Sequence, residues 1–168
     1  RGSSHLDDLD LNSLLIQADK DPDVEYFNHK GINDAGSTLD EKIISDASKF
    51  FETGQKTQLH YSVKNTDRTI GAKLSSALYN KFSDTEINDD QLTLNLEGSA
   101  GQSLGAFAVK GISIKVEGDA NDYVGKSLSG AKIVIRPHKN SHLITNENTI
   151  IGNTCMYGAT SGYLYASG

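Results

Sequence analysis

Between Thr38 and Gly54 the hydrophobic residues recur at the spacing of an α-helix and form one apolar stripe. The segment Thr38-Leu-Asp-Glu41 has the form of a capping box, in which the threonine oxygen accepts a hydrogen bond from an amide of the first turn. Glycine is common just after the last residue of a helix, and Gly54 occupies that place. The pattern therefore predicts a helix from about Leu39 to the residue before Gly54. The stripe consists of Leu39, Ile43, Ile44, Ala47, Phe50 and Phe51.

After this helix the pattern changes to that of a strand and then returns to that of a helix. Leu59, Tyr61 and Val63 alternate with polar residues, as in a strand with one buried face. From Ile70 to Phe82 an apolar residue recurs every fourth position, which predicts a second helix. Together these elements predict a small α+β lead-in with two helices.

Glycine residues divide the second half of the chain into repeats. Gly98 and Gly118 are 20 residues apart, and Gly152 follows 34 residues later because a polar excursion at about 137–149 interrupts the repeat. This period, with β-branched residues after each turn, is typical of coils that bury their inner face by stacking. We therefore predict a mainly β fold, a right-handed parallel β-helix with about 20 residues per coil. The glycines expected at its turns are Gly98, Gly101, Gly105, Gly118, Gly125, Gly152, Gly158 and Gly162.

The organisation predicted from these patterns has three parts. Residues 1–38 form an extended, acidic N-terminal arm, residues 39–90 form the α+β lead-in, and residues 91–168 form the glycine-rich coils. The sequence ends at Gly168, where a further repeat is expected to begin. We therefore expect the coils to continue and all three parts to belong to one domain of a larger enzyme.

Charge and cysteine content narrow the classes of function. The formal net charge is −6, from 16 basic and 22 acidic residues, so nucleic acid and anionic membranes are not expected as partners. The sequence also contains no apolar run long enough to span a bilayer. Cys155 is the single cysteine, which excludes an internal disulfide and fits a cytoplasmic protein. We interpret Cys155 as a small buried side chain rather than a nucleophile.

Two polar segments could carry chemistry or contacts with other domains. Arg68 follows a segment rich in donors and acceptors, and its guanidinium could bind a carboxylate. The simpler interpretation is that Asn65, Thr66 or Asp67 caps the second helix. Asn121 and Asp122 lie in a polar corner, where such side chains usually bond to the turn itself. We treat Arg68, Asn121 and Asp122 as candidate interdomain contacts and predict no catalytic residue.

Metal and nucleotide sites are not expected. Asp7, Asp8 and Asp10 have no calcium-loop spacing, and the five histidines have no zinc-site spacing. The glycines from Gly98 to Gly105 lack the spacing and the basic residue of a phosphate loop.

Four strings of the sequence are specific enough to compare with a known family. They are Asn65-Thr-Asp-Arg-Thr-Ile-Gly-Ala-Lys-Leu-Ser75, Gly98-Ser-Ala-Gly-Gln-Ser-Leu-Gly-Ala-Phe107, Gly118-Asp-Ala-Asn-Asp-Tyr-Val-Gly-Lys126 and Gly152-Asn-Thr-Cys-Met-Tyr-Gly-Ala-Thr-Ser-Gly162. Together they resemble the GXGXG β-helix domain found at the C-terminal end of glutamate synthase large subunits. The opening His5-Leu-Asp-Asp-Leu-Asp-Leu-Asn12 is similar to the segment that enters that domain. Ser76 and Ser127 stand where the family pattern tends to have glycine.

The resemblance implies a parent oxidoreductase of glutamate biosynthesis and ammonia assimilation. Such an enzyme makes L-glutamate from L-glutamine and 2-oxoglutarate, using FMN and an iron–sulfur cluster that lie outside this segment. The implied partners are the amidotransferase and FMN-binding synthase domains, and association into a homo-oligomer is left open. The implied role of this segment is structural, because a stiff domain can hold the glutaminase and flavin sites in register along the ammonia path.

Two alternatives remain open on the sequence. One is a free-standing GXGXG subunit of a multi-subunit oxidoreductase such as formylmethanofuran dehydrogenase. The other is a carbohydrate-active β-helix enzyme that uses Asp119, Asp122 and Arg136 in an open groove.

Overall fold

The computed structural model describes residues 12–14, 36–82 and 87–168. The chain divides into two units, Arg1–Asp34 and Ala35–Gly168. In the first unit the described part is a 3-10 turn at Asn12–Leu14. The aspartates considered above as metal ligands in the N-terminal arm lie outside the described residues.

Within residues 36–82 and 87–168 the second unit has three α-helices: α1 at Leu39–Asp46, α2 at Ser48–Thr53 and α3 at Ala72–Phe82. They confirm the two helical segments predicted from the pattern, except that the first is divided at Ala47. Gly54 ends α2 with a φ of 69°, in the left-handed conformation expected of a glycine at this position.

The start of α1 differs from the predicted capping box. Thr38 has the extended conformation of an N-cap residue, but its hydroxyl makes no capping hydrogen bond within the described residues. The amide of Glu41 donates instead to the backbone carbonyl of Thr38 at 3.1 Å. The helix therefore begins where the sequence predicts, without the predicted side-chain bond.

Asp40, the second residue of α1, caps the N-terminus of α3. Its Oδ1 accepts a hydrogen bond from the Gly71 amide at 2.7 Å, and its Oδ2 accepts from the amides of Lys73 at 2.8 Å and Leu74 at 3.2 Å. These amides belong to the first turn of a helix, where backbone donors have no partner within the helix. Asp40 is 3% exposed, and burial raises the pKa of its carboxyl. The two helices are thus joined by a buried carboxylate.

In the described part of the chain, five parallel strands form a single sheet in the order β1-β2-β3-β4-β5. Each strand pairs with its neighbours in the sequence, as expected when consecutive repeats lie side by side. Val109, Ala120 and Ile151 take part in isolated bridges outside this regular pairing. The strands are β1 Thr57–Val63, β2 Leu92–Ala100, β3 Ile112–Ala120, β4 Ser129–Arg136 and β5 Ser161–Ala166.

The inner face of the sheet is apolar, because alternate residues of each strand point to the same side. Leu94 pairs in register with Ile114, and Ile114 pairs with Ile133. Turn residues such as Leu104 and Val124 are also fully buried, and they complete the core together with residues of the helices. The same register places Gly98 opposite Gly118 at the ends of β2 and β3.

Between the strands, successive turns stack on one another, and we call residues 102–107, 124–127 and 155–158 the turn layer. Its backbones are hydrogen-bonded: the Gly125 amide donates to the Leu104 carbonyl, and the Met156 amide donates to the Val124 carbonyl, both at 2.8 Å. Several residues of these turns and their flanks have left-handed φ values. They are Ser103, Gly105, Phe107, Tyr123, Gly125, Ser127, Thr154, Met156 and Gly158.

The prediction of a right-handed parallel β-helix is wrong. The described residues form one five-stranded parallel sheet with helices, an α/β-like arrangement. Recurrent left-handed φ values in the turn layer are incompatible with extended strands, so no second sheet forms in the described part of the chain. The 20-residue spacing instead reflects the pairing of β2 with β3, with Gly98 opposite Gly118.

The predicted turn glycines fall into two groups by conformation. Gly98 and Gly118 have φ values of 122° and 149°, which residues with a side chain rarely adopt. A Cβ on Gly118 would overlap with the Gly98 carbonyl oxygen, and a Cβ on Gly98 would overlap with the Val63 carbonyl oxygen. Gly101 and Gly152 lack a left-handed φ, but a Cβ at either would also meet nearby backbone.

We expect Gly118→Ala to lower the free energy of unfolding by more than about 3 kcal/mol, because a methyl group there clashes with backbone that cannot move aside. Gly54→Ala is the matched control, since Gly54 is also left-handed but a Cβ there meets nothing within 4 Å. We expect the control to cost about 1 kcal/mol. Urea unfolding measures both values, and equal losses would contradict the packing argument.

We expect Asp40→Ala to lower the free energy of unfolding by about 2–3 kcal/mol at neutral pH, because buried amides lose their acceptor. Glu41→Ala is the control at the adjacent position. Glu41 forms an exposed ion pair with Lys73 at 2.6 Å, and we expect its loss to cost about 0–1 kcal/mol. Similar losses for both variants would show that Asp40 is not the principal cap.

The raised pKa of Asp40 also predicts a pH dependence. In the folded state the carboxyl binds a proton at a higher pH than its ordinary pKa of 3.8 allows in the unfolded chain. Protonation of Asp40 therefore stabilises the folded state. This contribution is complete below pH 3.8 and is lost as pH rises through the pKa that the carboxyl has in the folded state. Asp40→Asn removes this titration. The free energy of unfolding of the wild type, measured by urea unfolding at each pH, should therefore fall relative to that of the variant as pH rises from 3.8 through the pKa of the folded state.

Candidate functional site

Side-chain hydrogen bonds join the turn after β1, the turn after β3 and the turn before β5 in a polar corner. Asn121 Nδ2 donates to Asn65 Oδ1 at 2.8 Å, and Asn121 Oδ1 accepts from the Asp122 amide at 2.7 Å. Asp122 Oδ1 accepts in turn from the Asn153 amide at 2.7 Å. Asp122 therefore ties its turn to the next one at Asn153, and Asn121 reaches past the turn after β2 to Asn65. Asn and Asp side chains commonly form such bonds in turns.

Arg68 lies on the segment between β1 and α3, and its side chain is exposed. It forms no ion pair within the described residues. The neighbouring residue Asp67 accepts a hydrogen bond from the Lys64 amide at 2.8 Å. The expectation that Asn65, Thr66 or Asp67 caps the second helix is not fulfilled, because Asp40 accepts the hydrogen bonds of its first turn. The guanidinium of Arg68 is thus available to a carboxylate from outside this unit.

A row of charged side chains crosses the outer face of the sheet. Glu97, Glu117 and Arg136 are neighbours in register on β2, β3 and β4. Arg136 forms an ion pair with Glu117, and His138 Nε2 lies 3.0 Å from Glu97 Oε1. The pKa of Glu117 is lowered by the hydrogen bond from Arg136.

Sequence reasoning missed the two glutamates, although a signal was present. Leu96-Glu97-Gly98 and Val116-Glu117-Gly118 repeat the same order at the same place of two repeats. Residues at equivalent places of in-register parallel strands become cross-strand neighbours. The repeat therefore contained the information that Glu97 and Glu117 lie side by side.

This row lines an open groove of about 550 Å³ on the outer face. A glycosidase needs one carboxyl whose pKa is raised so that it can act as the acid. Here the pKa of Glu117 is lowered, and Arg136 pairs with Glu117 rather than with Asp119 or Asp122. The groove is lined by His60, Tyr61, Ser62, Asn95, Leu96, Glu97, Lys115, Val116, Glu117, Val134 and Arg136.

The remaining residues considered for chemistry have structural surroundings. Asp119 Oδ2 accepts a hydrogen bond from Ser99 Oγ at 3.1 Å. Cys155 is partly buried, its Sγ lies 3.4 Å from the Gly152 carbonyl, and burial raises the pKa of its thiol. Within residues 12–14, 36–82 and 87–168, no three histidine, cysteine or acidic side chains come together in a way that could hold a metal ion. In the same residues no helix has the length and apolarity to cross a membrane.

Comparison with known proteins places this segment among much longer chains. The family model described as "GXGXG motif" matches residues 40–168. Over 168 residues the chain is 54% identical to the glutamate synthase [NADPH] large chain of Azospirillum brasilense, covering 100% of this chain and 11% of that protein. It is 41% identical to ferredoxin-dependent glutamate synthase 2 of Synechocystis sp., covering 98% of this chain and 11% of that protein.

A eukaryotic relative is similar over a shorter stretch. The chain is 46% identical to glutamate synthase [NADH] of Saccharomyces cerevisiae over 142 residues, which are 84% of this chain and 7% of that protein. The chain thus spans about a tenth of the length of the curated relatives it matches.

Proposed function

The chain belongs to the GXGXG motif family, and we propose that it is a non-catalytic, structural domain of a glutamate synthase. The observation that carries the proposal is the match of the whole chain to one segment of a glutamate synthase [NADPH] large chain at 54% identity. The relatives differ in the electron donor that their names give, yet all three contain this segment. A segment shared in this way fits a task common to all of them.

The proposed task is to hold the glutaminase and flavin sites of the parent enzyme in register along the path of ammonia. The parent would make L-glutamate from L-glutamine and 2-oxoglutarate. A sheet and a turn layer that are both joined by backbone hydrogen bonds around one apolar core support this role, because a close-packed core has low compressibility. The proposed partners are the amidotransferase and FMN-binding synthase domains of the same polypeptide.

The iron–sulfur cluster of the proposed parent does not fit this chain. An iron–sulfur cluster is held by several cysteine thiolates, and the sequence has only Cys155. We propose that FMN and the iron–sulfur cluster are bound by other domains. A cytoplasmic location is part of the same proposal and agrees with the single, unpaired cysteine.

The size of the native polypeptide tests this proposal directly. We expect an antibody raised against the purified chain to detect a polypeptide several times larger than 18.1 kDa in its source. A band near 18.1 kDa would contradict the proposal and favour a free-standing subunit or a small carbohydrate-active enzyme. A pull-down for partner proteins would then separate these two.

Arg68, Asn121 and Asp122 are proposed as contacts to other domains of the parent. Arg68→Ala in the full-length enzyme should reduce the glutamate formed per glutamine hydrolysed by at least about twofold, because a charge-assisted contact between domains is lost. Lys56→Ala is the control, since Lys56 is another exposed basic residue of the second unit. An unchanged ratio for Arg68→Ala would remove this residue from the proposed interface.

A further inference from the structure

The polar excursion at residues 137–149 exposes two adjacent aliphatic side chains. Leu143 is 48% exposed and Ile144 is 56% exposed. Across residues 36–82 and 87–168 they are the only strongly exposed large aliphatic side chains, the others being aromatic. The rest of the excursion is polar, so these two residues stand out from their surroundings. We call Leu143 and Ile144 the aliphatic knob.

Local hydrogen bonds hold the knob in place. The Leu143 amide donates to Ser141 Oγ at 3.2 Å. The Ile144 carbonyl accepts from the Glu147 amide at 2.9 Å and from Asn148 Nδ2 at 2.8 Å. A 3-10 turn at Thr145–Glu147 follows directly. The backbone that carries the knob is therefore ordered before any partner binds, which reduces the entropy lost on binding.

Both ends of the excursion are attached to the sheet. At one end His138 Nε2 lies 3.0 Å from Glu97 Oε1 in the charged row. At the other end Ile150 is buried, and its carbonyl accepts from the Ala120 amide at 2.9 Å. The excursion is thus a fixed projection from the carboxyl edge of the sheet.

We infer that the aliphatic knob inserts into an apolar pocket on another domain of the same long polypeptide. This inference rests on the proposed function, because the relatives are about ten times as long as this chain and supply the other domains. Two apolar side chains within a polar rim match the usual anatomy of an interface.

A second copy of the chain is a less suitable occupant on grounds of area. A stable interface between separate proteins buries about 1,200–2,000 Å² in total. Two aliphatic side chains cover only a small part of that area. A domain in the same polypeptide needs far less contact, because the covalent connection raises its effective concentration.

Photo-crosslinking in the full-length polypeptide tests the inference. p-Benzoylphenylalanine placed at position 143 or 144 should form crosslinks to peptides of the same polypeptide outside residues 1–168. Position 79 is the control, because Tyr79 is an exposed residue of α3 and does not belong to the excursion. Crosslinks confined to residues 1–168, crosslinks to a second copy in a mixture with isotope-labelled protein, or no crosslink would each overturn the inference.

A proteolysis experiment gives an independent readout. In the full-length polypeptide we expect trypsin to cut at Lys139, in the excursion, at least tenfold faster in the double variant Leu143→Ser, Ile144→Ser than in the wild type. Tyr79→Ser should leave the rate at Lys139 unchanged. Equal rates for the double variant and the wild type would overturn the inference. A native band near 18.1 kDa would instead show that the proposed function has failed, so the two failures are distinguishable.

Discussion

The close approach of consecutive strand ends at Gly98 and Gly118 sets the geometry of the second unit. No side chain fits between these backbones, so the two strands must pair with the glycines opposite one another. Once this register is set, Leu94, Ile114 and Ile133 form one apolar row, and β2 and β3 end at equivalent positions. The turns that follow these strands therefore lie side by side, as the backbone hydrogen bonds within the turn layer require. Sheet, core and turns are therefore consequences of one steric constraint.

Two of the helices are held to each other through a different interaction. Asp40 brings α1 to the N-terminus of α3, where its carboxylate replaces the water that would otherwise solvate the first amides. Burial of the carboxyl opposes its ionisation, while the three amides favour it. The helix pair thus depends on a group that must be both buried and hydrogen-bonded.

Several polar side chains of the second unit connect its turns and strands. Asn121 and Asp122 bond to the turns that carry Asn65 and Asn153, and Glu117 is paired with Arg136. Arg68 has no ion-pair partner within the described residues, and Leu143 and Ile144 are exposed. Exposed features of this kind suit contact with other protein surfaces, in keeping with the proposed structural role.

Periodicity in the sequence by itself determined the helical segments, the β1 strand and the 20-residue repeat, and the likeness of four strings to a known family indicated the family. These features depend on residues that are close in the chain or equivalent in a repeat. The tertiary structure alone decided that left-handed turns replace further strands, because residues such as Ser103 and Phe107 adopt this conformation only when stacked turns hold them. It also decided that Asp40 caps a helix 31 residues away, since such a contact depends on packing that no local pattern encodes.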